Sequence, residues 1–236
     1  MTVWLRSTES TMQDAAKLAA RGEPHGTVVV AEEQTAGIGR HGHTWHSAGT
    51  GGLYLSIILR LPLSSDALPV LTMALGLAAQ CAIEEVCGVR CDIRWPNDLM
   101  LGGKKLAGIM VQTGERAALI AGIGVNVNQA AFPEDLHPIA TSLRLETGRD
   151  YSKEELLDSV VAESLKYAAL LKDIGKSQIL KQFEVRSSYA RGKAVEVDDG
   201  RRVFAGVTAG LDENGFLMVE TPSGIETVMA GGVRAA

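Results

Sequence analysis

Cysteine is scarce in this 236-residue chain, where Cys81, Cys87 and Cys91 are the whole complement. An odd count without Cys-x-x-Cys spacing excludes a disulfide framework, argues against a zinc or redox motif, and fits a reducing, cytoplasmic compartment. Basic charge is short as well: 23 Lys and Arg stand against 28 Asp and Glu, a net charge of −5. Neutralising nucleic-acid phosphates needs clustered cations, so DNA is not an expected partner. No apolar run of about 18 residues reads as a membrane span, and the amino terminus carries no apolar stretch of signal length, so no membrane partner is expected. Repeats and low-complexity linkers are lacking too.

What is present is an irregular alternation of helix and strand signals, then a change of pattern. A helix should follow Ser10, with Ala15, Ala16, Leu18 and Ala19 as its apolar stripe. Strands follow at Thr27 to Glu32 and Leu53 to Arg60. Ser65 should cap a long helix over Asp66 to Val86, with Pro69 in its first turn. Strands at Leu106 to Val111 and Ala117 to Val125 precede a helix opened by the capping box Ser152-Lys153-Glu154-Glu155, and another near Ser177 to Tyr189. From Gly192 the chain reads as short strands broken at Asp198-Asp199-Gly200, Glu213-Asn214-Gly215 and Pro222-Ser223-Gly224, which is hairpin chemistry for a small barrel or sandwich. The length suits a large domain over 1–190 and a small one over 191–236.

Two loops carry the chemistry. In Arg94-Trp95-Pro96-Asn97-Asp98, Pro96 fixes its own φ and biases Trp95 toward extended backbone, so Asn97 and Asp98 belong to a turn. Gly102-Gly103 turns again, and Lys104 and Lys105 lead into an apolar strand, where an ammonium can sit at the mouth of a pocket. The second loop, Gln34-Thr35-Ala36-Gly37-Ile38-Gly39-Arg40-His41-Gly42-His43-Thr44-Trp45, frees its backbone N–H groups to cradle an anion, with Arg40 adding a permanent charge and Trp45 a stacking face. It opens no helix after its strand, so it is neither a dinucleotide fingerprint nor a Walker loop. His41, His43 and His46 adjoin no acidic or Cys partner and read as solvated loop residues rather than metal ligands.

Together these loops resemble those of the biotin protein ligases: a Gly-Arg-Gly-Arg-type loop ending in Trp, then Trp-Pro-Asn-Asp followed by Lys-x-x-Gly. Gly122-Ile123-Gly124-Val125-Asn126 is similar to that family's Gly-x-Gly-x-Asn strand end, and Ser10-Thr11-Met12 to its helix entry. The resemblance covers nearly the whole chain. It implies an α+β fold, a mixed β-sheet with flanking helices followed by a small SH3-like β-barrel. It also implies that biotin and ATP, with Mg2+, form biotinyl-5'-AMP and pyrophosphate. The biotinyl group then passes to a lysine of a biotin carboxyl carrier protein, a subunit or domain of acetyl-CoA carboxylase.

By the same resemblance, Lys105 and Arg40 are the catalytic cations. Ser10, Thr11, Gln34, Gly37, Arg40, Lys105 and Gly108 would bind biotin, and Arg40, Trp45, Asp98, Lys105 and Asn126 the ATP or adenylate, with Asp98 as a weak candidate for Mg2+. The loop over 35–52 is expected to order over the ligand, because a mixed anhydride must be shielded from water. Ile38 and His41 stand where many members carry arginine, and the ending Gly231-Gly232-Val233-Arg234 is shorter than usual. The chain begins almost at the catalytic segment, so a DNA-binding module and a repressor role are not expected. A homodimer through the sheet edge is what the family allows. The rival readings are a lipoate or octanoyl ligase or transferase of the same superfamily, and a catalytically idle biotin-binding protein.

Overall fold

Three segments, Val28–Gln34, Gly52–Leu59 and Leu119–Asn126, are rich in aliphatic residues along their length, as strands covered on both faces are. In the computed structural model, which describes residues 1–42, 44–47 and 49–236, they are β2, β3 and β7 at the middle of a seven-stranded sheet. The remaining strands are β1 (Thr2–Thr8), β4 (Asp92–Arg94), β5 (Asp98–Leu101) and β6 (Lys104–Thr113), in the order β1-β2-β3-β7-β6-β5-β4. Only β1 and β2 pair in parallel, joined across α1 (Thr11–Ala20); the other neighbours are antiparallel.

Helix α1 covers one face, packing Met12, Ala15 and Ala19 on Val29, Ile58 and Ile120. The other face is covered by α2 (Leu68–Cys87), packed against α4 (Lys153–Ile174) and α5 (Lys176–Arg186). Helix α2 is long and apolar enough to cross a membrane, contrary to the expectation from the sequence, but most of it is buried inside the protein. A helix enclosed on every side has no need of a polar face.

Several boundaries differ from those predicted. The backbone over Ser65–Ala67 is a 3-10 turn and α2 starts at Leu68 with Ala67 as its N-cap, so Ser65 is not the cap; Pro69 does lie in the first turn. Strand β1 and the short α3 (Leu143–Thr147) have no counterpart in the sequence reading. The former is an edge strand whose Val3 and Leu5 are half-buried against the α1 core while Trp4 between them is half exposed, so the apolar run Val3-Trp4-Leu5 hides the alternation in the sequence. Ser152 does cap α4, accepting from the Glu155 N–H at 3.1 Å.

A second, antiparallel sheet follows: β8 (Arg191–Asp198), β9 (Val203–Leu211), β10 (Leu217–Thr221), β11 (Gly224–Val228) and β12 (Gly232–Ala235), ordered β11-β10-β9-β8-β12. Its apolar face, including Val195, Val197, Leu217 and Val219, is continuous with the α2 core. Trp95 joins the two sheets, its indole N–H donating to the Gly215 carbonyl at 2.9 Å.

Candidate functional site

Where α1 begins, Ser10 occupies the N-cap position with extended backbone, yet its side chain accepts no cap hydrogen bond. The hydroxyl is buried, at 1% exposure, and has no partner. A buried, unpaired hydroxyl is costly. Ser10 points to a cleft lined also by Thr11, Gln34, Arg40, Trp45, Lys105 and Gly108, with about 470 Å³ of empty space counted to its open mouth. The apolar side chains of Met12, Leu55, Ile109, Met110 and Ile123 complete its lining, and an apolar wall with a few convergent polar groups is the make-up of a small-molecule pocket. Ile38 lies in it as well.

Polar groups at one end are locked to each other. Gln34 Oε1 accepts from the Thr11 backbone N–H at 2.9 Å and from its hydroxyl at 3.1 Å, while Gln34 Nε2 donates to Ser47 Oγ at 3.0 Å. The Thr11 and Ser56 hydroxyls share a further bond at 2.9 Å. This chain fixes the amide orientation of Gln34 and ties the loop to the sheet. Neither Ser47 nor Ser56 is given a site role by the sequence alone; the signal for Ser56 is a small polar side chain inside a largely apolar strand.

Glycines clear the floor. Gly108 and Gly124 are direct partners across β6 and β7, and Gly122 faces Met110. A Cβ on Gly124 would lie 2.6 Å from Trp45 Cε2, one on Gly108 2.9 Å from Trp45 Cζ3, and one on Gly122 2.6 Å from Met12 Sδ. The indole therefore rests directly on backbone. Gly37 is not in the lining; it is an acceptor for the loop's return. Its carbonyl accepts from the Trp45 N–H at 2.9 Å, and a Cβ there would meet the Trp45 carbonyl at 2.5 Å.

Lys105 reaches the cleft because of a bulge. In β6 it shares parity with Ala107 and Ile109, whose side chains are buried, Ala107 in the α2 core. The pairing Leu99 with Ala107 and then Met100 with Lys105 leaves Leu106 as an extra residue. Bulges re-aim side chains, and this one turns Lys105 to the face of Asp98 and Gly108. Its Nζ then lies 2.6 Å from Asp98 Oδ1, while Arg94 Nη2 donates to Asp98 Oδ2 at 2.6 Å. The Lys105 backbone is held from its other side, donating to the Ile139 carbonyl at 2.8 Å and accepting from Thr141 at 2.9 Å. Lys104 instead reaches the His137 carbonyl on the surface, at 2.9 Å.

Arg40 donates to Asn97 Oδ1 at 2.8 Å, and Asn97 Nδ2 in turn donates to the Ile109 carbonyl at 3.0 Å. Asn97, read from the sequence only as a turn residue, thus aims the guanidinium. Burial pulls the Arg40 pKa below its usual value and the Asp98 charge opposes it; an arginine has ample range to stay charged. Tyr54, also in the lining, is pushed up to about 12 by burial and stays protonated at neutral pH.

Two more clefts meet this one at Lys105. The second is apolar, formed by Trp45, Phe132, Leu136 and Ile139 with Asn126 and Lys105. Asn126 Oδ1 accepts from Gln129 Nε2 at 3.2 Å. The third holds Arg94, Asp98 and Lys105 against Gly231 to Arg234 of the second sheet. Lys105 lines all three clefts, and Trp45 is the partition between the first and second. Asp98 faces the third cleft, with each carboxylate oxygen beside a cation. Among the described residues, no three His, Cys, Asp or Glu side chains converge to hold a metal ion. His43, one of the three loop histidines, lies outside the described residues, as does Ala48 of the same loop.

Residues 4–128 match the model of the biotin/lipoate A/B protein ligase family, and residues 191–233 that of the biotin protein ligase C terminal domain. The chain is 32% identical to a biotin--[acetyl-CoA-carboxylase] ligase of Paracoccus denitrificans, over 97% of this chain and 98% of that protein. It is 34% identical to the bifunctional ligase/repressor BirA of Bacillus subtilis, over 95% of this chain and 71% of the relative. Among solved structures, a biotin protein ligase from Aquifex aeolicus in complex with biotin and ATP superposes with a TM-score of 0.89 at 31% identity, covering 100% of this chain and 99% of that one.

Proposed function

Because the chain belongs to the biotin/lipoate A/B protein ligase family, and its full-length relatives are biotin protein ligases, we propose the following reaction. It activates biotin with ATP to biotinyl-5'-AMP and pyrophosphate, then transfers biotin to a lysine of a biotin carboxyl carrier protein. The observation that carries the assignment of roles is the meeting of three clefts at Lys105. A carboxylate approaching an α-phosphate is repelled unless preorganised cations offset the charge. Lys105 and Arg40 are the cations at the head of the first cleft, and are read as the catalytic pair.

Biotin's ureido ring suits the polar end at Ser10, Thr11 and Gln34, and its apolar body the lining around Met110 and Ile123. The bare backbone of Gly108 leaves room for the ligand, and Gly37 holds the loop over it. The nucleotide is read into the second cleft, between Trp45 and Asn126, so that Trp45 covers the anhydride. Asp98 orients Lys105. Mg2+ is read as arriving on the phosphates of ATP, where it keeps much of its water, rather than in a protein cage. Residues 1–190 form the ligase domain in this reading and 191–236 the C-terminal one. Three free cysteines and a net charge of −5 support a cytoplasmic enzyme without a DNA or membrane partner. The open edge at β1 is the candidate for homodimer pairing.

The test is pyrophosphate release from Mg-ATP with biotin, lipoate or octanoate offered separately. Release with biotin alone is expected; release with lipoate or octanoate would transfer the chain to the sister branch, and none at all would leave only binding. Ser10→Ala is expected to raise KM for biotin about tenfold, the worth of one hydrogen bond to a buried hydroxyl, without lowering thermal stability. A helix cap would behave oppositely, losing about 1 kcal/mol of stability with KM unchanged.

A further inference from the structure

We propose that Gln129 is a positioning residue that anchors both substrate clefts at once, holding Tyr54 on the wall of the first and Asn126 on the wall of the second. The inference deepens the ligase reading above and rests on it. Gln129 is buried just beyond β7 and lines none of the three clefts. Its amide nitrogen carries two hydrogens, and both are spent: Nε2 donates to the Tyr54 hydroxyl at 3.3 Å and to Asn126 Oδ1 at 3.2 Å. With its oxygen occupied, Asn126 has only Nδ2 left to offer, and that group makes no hydrogen bond among the described residues. An amide N–H at the second cleft suits an acceptor, and a nucleotide supplies acceptors as ring nitrogens and phosphoryl oxygens.

Gln129 can serve as an anchor because it is itself fixed. Its backbone carbonyl accepts from the buried Ser142 hydroxyl at 2.7 Å, and the same hydroxyl caps α3 by accepting from the Leu145 N–H at 3.1 Å. On the other side, Gly51, at the end of the loop that carries Trp45, runs against it: a Cβ on Gly51 would stand 2.9 Å from the Gln129 backbone nitrogen. The Gly51 carbonyl accepts from the neighbouring Asn128 N–H at 2.6 Å. The side-chain oxygen of Gln129, by contrast, is buried without a partner. An unpaired buried acceptor costs stability, so an apolar side chain of the same shape would serve folding better. The two donated bonds are what the amide adds.

Gln129→Met keeps the shape and removes both bonds. In biotin-dependent exchange of labelled pyrophosphate into ATP, KM should rise about fivefold for each substrate, the worth of about one hydrogen bond apiece. A merely structural glutamine would lower the midpoint of thermal unfolding and leave both KM values where they are. Double-mutant cycles identify the route. Added to Asn126→Ala, Gln129→Met should raise KM for ATP no further; added to Tyr54→Phe, it should raise KM for biotin no further. Effects that multiply in either cycle would overturn the proposal, and so would a rise for one substrate alone. Gln129→Glu, equally close in shape, tests the direction of the bonds and stands in should the methionine variant not fold. A carboxylate accepts where the amide donates, so Asn126 must turn its oxygen to the nucleotide, and KM for ATP should again rise about fivefold. An unaltered KM would overturn the proposal. Absence of exchange in the wild type would instead remove the ligase reading itself.

Discussion

Lys105→Ala should abolish most biotin-dependent pyrophosphate release, lowering kcat/KM by about 10²- to 10³-fold, the cost of losing one preorganised group aimed at developing charge. The effect is large because no neighbour can replace the ammonium. Lys104 is tethered to the His137 carbonyl on the surface, and Arg94 is on the far side of Asp98. Lys104→Ala is therefore the control, expected to keep wild-type turnover. Lys105→Arg should restore little, since a planar fork does not occupy the position of a compact ammonium held 2.6 Å from Asp98 Oδ1. Steady-state kinetics with biotin varied at saturating ATP decides it. A Lys105→Ala enzyme within about fivefold of wild type would remove the residue from the catalytic pair, because that is far short of the loss expected for such a group.

Gly124→Ala should disable the same step by a different route. Its new Cβ would stand 2.6 Å from Cε2 and 2.7 Å from Nε1 of Trp45, so the indole must leave its seat and the partition between two clefts is lost. A loss of about 100-fold in kcat/KM for biotin is expected, comparable with a misplacement of about 1 Å at a reacting centre. The clash is specific to one partner, so a double-mutant cycle tests it. Trp45→Ala alone should cost about tenfold through lost shielding of the anhydride. The double variant should then resemble Trp45→Ala, since the intruding methyl group meets no ring. Losses that simply multiply would show that Gly124 acts without Trp45. Thermal unfolding of each variant separates these effects from loss of fold.

The sequence was read well where local chemistry and long-range role coincide. Hairpin residues at Asp198-Asp199-Gly200 and Glu213-Asn214-Gly215 do lie at turns, because left-handed backbone at Gly200 and Gly215 is a local demand. Strand β1 escaped because its outward Trp4 is as apolar as the inward Val3 and Leu5 on either side, so the alternation of burial is not an alternation of residue type. Trp95 stands in the motif that pointed to the site, yet its indole is spent on the Gly215 carbonyl and the shared core. Asn97 and Ser56 were passed over for the opposite reason: their partners lie 57 and 45 residues away, beyond any local window, and Ser47 meets Gln34, 13 residues before it, only because the loop folds back.

By itself the sequence determined which residue types were available: glycines for close approach, two loops with Arg40 and Lys105, and an apolar chain long enough to fill two faces of a sheet. Folding decided which of them meet. By its parity in β6, Lys105 belongs with the core residues Ala107 and Ile109, and only the extra residue at Leu106 turns it to the face of Asp98 and Gly108. Likewise Ser10 reads as a helix cap until packing buries its hydroxyl without a partner. Register and burial depend on every strand at once, whereas residue identity depends on one position, and for that physical reason the parts of the site were legible in the chain and its geometry was not.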